Sequence, residues 1–183
     1  MYLEPEEIDA LFRVIDSKRD TAIFRIAYHR GLRASEVGAL QLADFNPRRG
    51  TLRVDRLKGS NPTLHRLIPV ELRALNAWLK DRGPRPGPMF PSQMGYRTGN
   101  LGIHRNRLDQ LIKHYCTLAN ISQAKAHMHV LKHSCGTHMA EQGESAHVIR
   151  DHLGHVNSQS TDVYLHFTSK MRDEAWERLK KWR

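Results

Sequence analysis

The stretch His129-Val130-Leu131-Lys132-His133-Ser134-Cys135-Gly136-Thr137-His138 places imidazole rings and an ammonium group at the start of a helical pattern. Apolar positions within it recur at helical spacing, and the glycine at position 143 is expected to end the helix. Histidine gains or loses a proton near neutral pH, whereas lysine supplies a cation. The start of this helix therefore carries groups suited to proton transfer and to anion binding.

Other segments carry further candidate residues. Upstream lies the run GLRASE (residues 31–36), and downstream lie LGH (residues 153–155) and Tyr164. Two cations, two imidazoles and a phenol from these segments could surround a phosphodiester and attack it. Each candidate alone has an ordinary explanation: Arg33 near a helix end, Lys58 in a turn and Tyr164 in an apolar core. Taken together, the candidates favour a reactive site more strongly than any one of them does alone.

The composition indicates one soluble globular domain. Of the 183 residues, 39% are hydrophobic and 26% are charged, which is sufficient for a domain with a core. No apolar run approaches the ~18 residues of a membrane span, and the amino end lacks a secretory signal pattern. We therefore expect a cytoplasmic protein. Cys116 and Cys135 fall in helical patterns and are expected to be reduced core residues.

The charge balance indicates a polyanionic partner. Lys and Arg number 29 against 19 Asp and Glu, which gives a formal net charge of +10. Basic groups that displace counterions from phosphates supply most non-specific affinity for nucleic acid. A merely basic soluble protein is the plain alternative. A membrane surface is disfavoured because no basic amphipathic anchor is present in the sequence.

Helical periodicity predicts a mainly helical fold. The second predicted helix is apolar almost all round, so we expect it to be central, and Gly31 is expected to end it. Ser145 is a good N-cap for a late helix. Apolar spacing predicts helices over residues 5–15, 22–28, 34–40, 71–80, 103–118, 129–142, 145–153 and 171–182.

A small antiparallel sheet is predicted between the third and fourth helices. Alternating residues around Leu52 and Val54 indicate one strand, and a return strand is expected over residues 64–70 with Pro69 near its end. Lys58 would lie in the turn between them. Residues 83–100 are expected to form an irregular loop. The predicted fold class is therefore mainly α with a small antiparallel β-sheet.

The ordered motifs resemble the catalytic domain of the tyrosine recombinases, also called phage integrases. The resemblance spans nearly the whole chain, from GLRASE through His129-x-x-Lys132 and LGH to Tyr164. The short length and the wording HSCG (residues 133–136) are most similar to the small invertases that switch fimbrial genes. The resemblance implies a catalytic domain over residues 1–183. Family members usually carry a separate amino-terminal DNA-clamping domain, which is not in this sequence, so the sequence is either a fragment or a minimal recombinase.

The resemblance also implies an activity and a partner. Double-stranded DNA would be cleaved and rejoined through a 3′-phosphotyrosine on Tyr164, without a metal ion, a nucleotide or any other cofactor. Arg33 would bind phosphate oxygens, and His129 would assist proton transfer. His155 would donate to a non-bridging oxygen, and Lys58 would protonate the departing 5′ oxygen. A protein of this kind is expected to associate with the nucleoid.

Lys132 departs from the family pattern, which has an arginine three residues after the histidine. Lysine keeps the charge but lacks the bidentate fork, so the catalytic rate is in doubt. Two alternatives therefore stay open. One is a DNA-binding accessory or regulatory protein that has lost catalysis, and the other is a type IB topoisomerase with the same chemistry.

Two features remain beside these motifs. His129 and His133 have helical i, i+4 spacing, but no paired cysteine or zinc-protease Glu accompanies them, so we predict no metal site and expect His133 and His138 to be structural. The tail after residue 169 has an apolar stripe that must be covered. It could fold back on its own domain, whereas the resemblance implies that it docks on a neighbouring protomer of a tetramer on paired DNA sites.

Overall fold

The computed structural model describes residues 1–56, 62–92, 101–155, 176–177 and 180. The described residues form mainly α-helices with one small antiparallel sheet, which confirms the predicted fold class. Lys58, Tyr164 and nearly all of the predicted tail helix lie outside the described residues. The elements are α1 (Pro5–Val14), α2 (Lys18–His29), α3 (Ala34–Ala39), β1 (Phe45–Asn46), β2 (Thr51–Val54), β3 (Thr63–Arg66), α4 (Pro69–Arg82), α5 (Arg105–Leu118), α6 (Met128–Glu141) and α7 (Ala146–Leu153).

The helix ends follow the local sequence signals. Pro5 occupies the first turn of α1, where its missing N–H costs nothing. Ser17 and Ser145 cap α2 and α7, because each hydroxyl accepts a hydrogen bond from a backbone N–H of the first turn. Gly154 ends α7 in the left-handed conformation, with φ +62°, that other residues adopt only with strain.

Helix α2 is central, as its apolar sequence predicts. It packs against α4 on one side and α6 on another. The side chains that it buries completely are Ala22, Ile23, Phe24, Ile26 and Ala27. Both cysteines are free and buried, as expected.

The sheet is antiparallel with the order β1-β2-β3. Leu52 in β2 lies opposite Phe45 of β1 and His65 of β3, and its side chain is fully buried. Alternation in the sequence predicted β2 and its partner strand but gave no sign of β1. That strand has two residues, which is too short to show alternation.

The predicted return strand over residues 64–70 is wrong in its second half. Strand β3 ends at Arg66, and Pro69 begins α4 instead of closing a strand. Proline suits the first turn of a helix because its fixed φ is helical and no donor is lost there. In addition, the Glu71 carboxylate accepts a 2.8 Å hydrogen bond from the backbone N–H of Ile68, the residue that precedes the helix.

A buried ion pair joins the end of α2 to the start of α4. Arg30 donates from Nε to Glu71 Oε1 at 2.8 Å and from Nη2 to Glu71 Oε2 at 2.7 Å. The Glu71 side chain is fully buried and that of Arg30 is 11% exposed. Such a bidentate pair fixes the relative position of the two helices.

We expect Glu71→Ala to destabilise the fold by about 3 to 5 kcal/mol, because the buried Arg30 guanidinium would lose its counterion. The control is Asp81→Ala, which removes an exposed ion pair with Lys18 and should cost less than about 1 kcal/mol. Urea unfolding of the two variants and the parent measures both changes. Equal, small losses in both variants would contradict the expected role of the buried pair.

Candidate active site

Arg33 lies at the start of α3, where its backbone and side chain both bind Glu36. Its backbone N–H donates to Glu36 Oε2 at 2.8 Å, and its Nη1 donates to Glu36 Oε1 at 2.9 Å. The Arg33 side chain is 36% exposed, whereas that of Glu36 is fully buried. Glu36 therefore holds the Arg33 guanidinium from its buried side, and the guanidinium stays accessible to an anion.

Glu36 is also bound by a second arginine, Arg56, which follows β2. Arg56 Nη1 donates to Glu36 Oε2 at 3.1 Å, and neither side chain is exposed. Burial acts to raise the pKa of Glu36, but the Arg33 backbone N–H and the charge of Arg56 together hold it below its ordinary value. Glu36 is therefore an ionised carboxylate shared by two guanidinium groups.

Helix α6 contributes His129 and Lys132 from its first turns. His129 is exposed, and partial desolvation, followed by the charges of Lys132 and Arg33, lowers the pKa of its imidazole. Lys132 is 1% exposed, and its Nζ donates to the carbonyl of Leu153 at 2.6 Å. Burial first, and the charge of Arg33 second, lower the pKa of Lys132 to about 7.

His155 follows the left-handed glycine that ends α7. Its backbone N–H donates to the carbonyl of Arg150 at 2.9 Å, which fixes the chain where it leaves the helix. Burial, with the charges of Lys132 and Arg33 next, lowers the pKa of its imidazole to about 4. At neutral pH this imidazole is neutral, and its ring N–H can still donate a hydrogen bond.

The structure thus brings four of the six predicted site residues into one region. Arg33 and His129 line the same cavity of about 300 Å³, and Lys132 and His155 lie close enough that their electrostatic interactions with Arg33 shift their pKa values. These residues come from α3, α6 and the segment after α7. The other two, Lys58 and Tyr164, fall outside the residues that the structure describes.

The same cavity has two basic residues that the sequence analysis did not single out. Arg105 begins α5, and His127 immediately precedes α6. Asp109 fixes this edge, because its Oδ1 accepts a 3.1 Å hydrogen bond from the backbone N–H of Met128. Basic residues at the start of two predicted helices were a usable signal, since helix N-termini favour anions.

The two histidines expected to be structural differ from each other. His138 is buried and shares a 2.7 Å hydrogen bond between its Nδ1 and the hydroxyl of Tyr28, which fits a packing role. His133 lies with its ring 4.4 Å from the ring of His129, measured between centroids, at nearly right angles. His133 therefore packs against a candidate site residue.

A sequence profile of the Phage integrase family matches residues 1–171. The chain therefore belongs to this family, the tyrosine recombinases, whose properties include DNA binding and DNA recombination. Over 97% of its length it is 29% identical to the type 1 fimbriae regulatory protein FimE of Escherichia coli K12, of which the match covers 91%. This similarity confirms the predicted relation to short fimbrial-type members.

Longer relatives are matched in part. The chain is 33% identical over 172 residues to tyrosine recombinase XerD of Proteus mirabilis, and it spans 50% of that protein. The fold is similar to that of XerA recombinase, with a TM-score of 0.81 and 22% identity over the whole chain and 66% of XerA. It is also similar to XerH bound to a palindromic difH substrate, with a TM-score of 0.79 and 20% identity, covering 99% of the chain and 54% of XerH.

Among the described residues, no helix is long and apolar enough to cross a membrane.

The buried cation of Lys132 predicts a pH-dependent stability difference. Below pH 7 the folded state must bury the charged form, whereas the unfolded lysine keeps its proton up to about pH 10.5. Lys132→Met removes this cost, so we expect the variant to be more stable than the parent at pH 6. The advantage should shrink as the pH rises from 7 toward 10, because the unfolded parent then binds more protons than the folded parent.

Urea unfolding of both proteins at pH 6, 7.5 and 9 measures this difference. Lys125→Met is the control, because Lys125 pairs with Glu7 at a partly exposed position. A stability difference between Lys132→Met and the parent that stays constant with pH would show that Lys132 does not titrate near neutral pH.

Proposed function

We propose that this chain is a site-specific DNA recombinase that cleaves and rejoins DNA through a 3′-phosphotyrosine on Tyr164, without a metal ion or ATP. The observation that carries the proposal is the shared cavity of Arg33 and His129, with Lys132 and His155 beside it. Three separate segments converge there, each with a motif of the recombinase family. A cluster of cations and neutral imidazoles at a surface cavity suits a phosphodiester.

The proposed reaction exchanges one phosphodiester for another. The phenol oxygen of Tyr164 forms a bond to phosphorus while the bond from phosphorus to the 5′ oxygen breaks. His129 accepts the phenol proton, since its lowered pKa leaves the imidazole neutral. Lys58 protonates the departing 5′ oxygen. Rejoining runs these steps in reverse, so no external energy source is consumed.

The remaining groups balance the charge that develops on phosphorus. Arg33 is suited to this because its planar fork can bind two phosphate oxygens and remains charged. His155 donates a ring N–H to a non-bridging oxygen, and Lys132 supplies a second cation from its buried position beside the cavity. Preorganised donors of this kind stabilise a pentacoordinate transition state without having to reorganise during the reaction.

Double-stranded DNA is the proposed partner. The net charge of +10 favours a polyanion. Arg105 and His127, on the rim of the cavity, are placed to contact phosphates next to the cleaved one. The relative XerH is bound to a palindromic substrate. A palindrome offers two equivalent half-sites, which is consistent with self-association on paired sites.

The assembly proposed is a tetramer on paired DNA sites, with contacts made by the tail after residue 169. Residues 1–183 are proposed to act as the catalytic domain, and the DNA that it acts on would place it at the nucleoid in the cytoplasm. These proposals rest on the family to which the chain belongs and on the apolar stripe in the tail sequence.

A second function is a DNA-binding accessory or regulatory protein with impaired catalysis. Lys132 favours it, because its ammonium group is buried and donates to the carbonyl of Leu153, and it does not line the cavity. An arginine fork at this position could reach further than one ammonium group. FimE, which is named a regulatory protein, is a further reason to retain this alternative.

Tyr164→Phe tests the proposed nucleophile. The substitution keeps the ring, so DNA affinity and folding should be unchanged, whereas the covalent adduct with a nicked suicide substrate should fall at least about a thousandfold. Tyr2→Phe is the matched control, because it also removes one hydroxyl, one that contacts Glu141, and it should form adduct at the parent rate. Denaturing gels measure the adduct and gel shifts measure binding.

The outcomes separate the two functions. Adduct formed by the parent and lost in Tyr164→Phe supports the recombinase. Tight, site-specific binding by the parent without any adduct supports the accessory protein. Adduct that persists in Tyr164→Phe would show that another residue is the nucleophile.

Lys132→Arg tests whether lysine limits the rate. A further charged hydrogen bond to phosphate is worth about 1.5 to 3 kcal/mol, so the adduct should form about ten- to a hundredfold faster. Lys132→Ala should be slower than the parent. Since the pKa of Lys132 is lowered to about 7 in the DNA-free protein, the advantage of Lys132→Arg at subsaturating DNA should grow as the pH rises above 7. An arginine variant no faster than the parent at any pH would indicate a site built around lysine.

A further inference from the structure

Near the candidate site, the guanidinium group of Arg56 is buried, and each of its three nitrogens has a hydrogen-bond partner. It follows β2, and its side chain is fully buried. Nη1 donates to Glu36, Nε donates to the hydroxyl of Thr63 at 3.1 Å, and Nη2 lies 3.1 Å from Nε2 of His65. Nη2 also donates to two backbone carbonyls, that of Arg30 at 3.2 Å and that of His152 at 2.7 Å.

The contact with Glu36 connects Arg56 to Arg33. Glu36 binds Arg56 and Arg33 at the same time, and its Oε2 accepts from both Arg56 Nη1 and the Arg33 backbone N–H. Without Arg56, Glu36 would have lost one of the cations that keep it ionised in a buried position. The orientation of the Arg33 guanidinium therefore depends on where Arg56 holds this carboxylate.

The contact with the His152 carbonyl connects Arg56 to the segment that carries His155. The His152 carbonyl that accepts from Arg56 lies in the last turn of α7, three residues before His155. The Arg56 side chain also packs against Gly154, where a Cβ atom would come within 2.7 Å of Arg56 Nε. The Leu153 carbonyl binds Lys132. The chain that leads to His155 is thus held by Arg56 and Lys132 together.

The remaining contacts fix Arg56 itself. Burial, then His152 and the charge of Arg56, lower the pKa of His65 to about 3, so this imidazole is neutral. With its proton on Nδ1, a neutral imidazole has one lone pair at Nε2, and both hydrogens of Arg56 Nη2 are already donated to backbone carbonyls, so this lone pair is left for the Thr63 hydroxyl. The Thr63 hydroxyl can accept from Arg56 Nε and donate to His65 Nε2, which lies 2.8 Å away. All three nitrogens of the guanidinium group are therefore bonded, which a lysine could not reproduce.

We propose that Arg56 is a positioning residue of the recombinase site, whose guanidinium group places Arg33 through Glu36 and places His155 through the His152 carbonyl. Arg56 is fully buried and is proposed to contact neither the DNA nor the reacting atoms. This inference rests on the proposed function. It adds a residue outside the family motifs that orients two of the groups proposed to bind the phosphate.

A buried ion pair could instead serve stability alone, and the structure offers a matched control for that explanation. Arg30 and Glu71 also form a buried, hydrogen-bonded pair, but they link α2 to α4, and the Arg30 guanidinium donates to Glu71 and to the Arg66 carbonyl. Arg30→Lys and Arg56→Lys both keep the charge and remove a buried fork. Only Arg56→Lys should disturb the placement of site residues.

The first measurement is adduct formation on a nicked suicide substrate by the full chain, at saturating DNA and as a function of DNA concentration. We expect Arg56→Lys to lower the rate at saturation about ten- to a hundredfold, because small displacements of catalytic groups are costly. Its half-saturating DNA concentration should change less than about twofold, since the charge is kept. Arg30→Lys should unfold at a lower temperature than the parent and cleave at the parent rate.

The second measurement does not require activity. NMR titration of the His155 imidazole, assigned with His155→Gln, should show a pKa near 4 in the parent and in Arg30→Lys. In Arg56→Lys the pKa should move toward the ordinary value near 6.5, because His155 would be held less closely against the cations and would be better solvated.

A third measurement tests whether Arg56 acts through Glu36, again with the rate of adduct formation. Arg56→Gln on a Glu36→Gln background should reduce this rate by a smaller factor than Arg56→Gln does in the parent.

The outcomes keep the two proposals apart. A parent chain that forms no adduct overturns the proposed function and leaves the titration of His155 to decide the role of Arg56. An unchanged His155 titration in folded Arg56→Lys overturns the positioning role. So does a loss of rate that Arg30→Lys shows equally, since stability would then explain both.

Discussion

The buried carboxylate of Glu36 is the constraint on which the candidate site depends. An ionised carboxylate removed from water costs several kcal/mol unless cations and donors surround it. Glu36 meets this requirement with Arg33 on one side and Arg56 on the other. The start of α3 must therefore lie against Arg56, two residues after the end of β2. The Glu36 carboxylate binds one terminal nitrogen of the Arg33 guanidinium, Nη1, and the partly exposed side chain of Arg33 lines the cavity.

The sequence predicted most of the fold because most of the fold is made of amphipathic or wholly apolar helices. Periodicity and capping residues locate such helices without knowledge of their partners, as Ser145 and Gly154 do for α7. The errors lie where one residue has two meanings. Pro69 is compatible with a strand end and with a helix start, and the choice depends on Glu71, which binds Arg30 from a distant helix. Tertiary contact of this kind is not visible in a local pattern.

The candidate site was predictable to a different extent. Arg33, His129 and His155 were recognisable from the order of motifs that the resemblance implies, and Lys132 from its place where that pattern has an arginine. The structure gathers these four in one region. Arg56 carried no such signal, since an arginine after an alternating strand is usually an exposed rim residue. Its importance becomes visible only when burial is known, because a fully buried guanidinium must have partners and those partners lead to Arg33 and His155. The groups that orient a site are thus harder to read from sequence than the groups that react.

The charge within this cluster also affects the protonation of Lys132. Burial lowers the pKa of Lys132 most, the charges of Arg33 and Arg56 lower it further, and Glu36 offsets these charges only in part. Positive charge is therefore in excess while the cavity holds no anion. A phosphate bound at Arg33 would reverse the balance, and the pKa values of Lys132 and His155 would rise. Binding would then be coupled to proton uptake above pH 7, and by linkage the protonated cluster would bind phosphate more tightly. An arginine would be charged in both states, so this coupling would be specific to lysine.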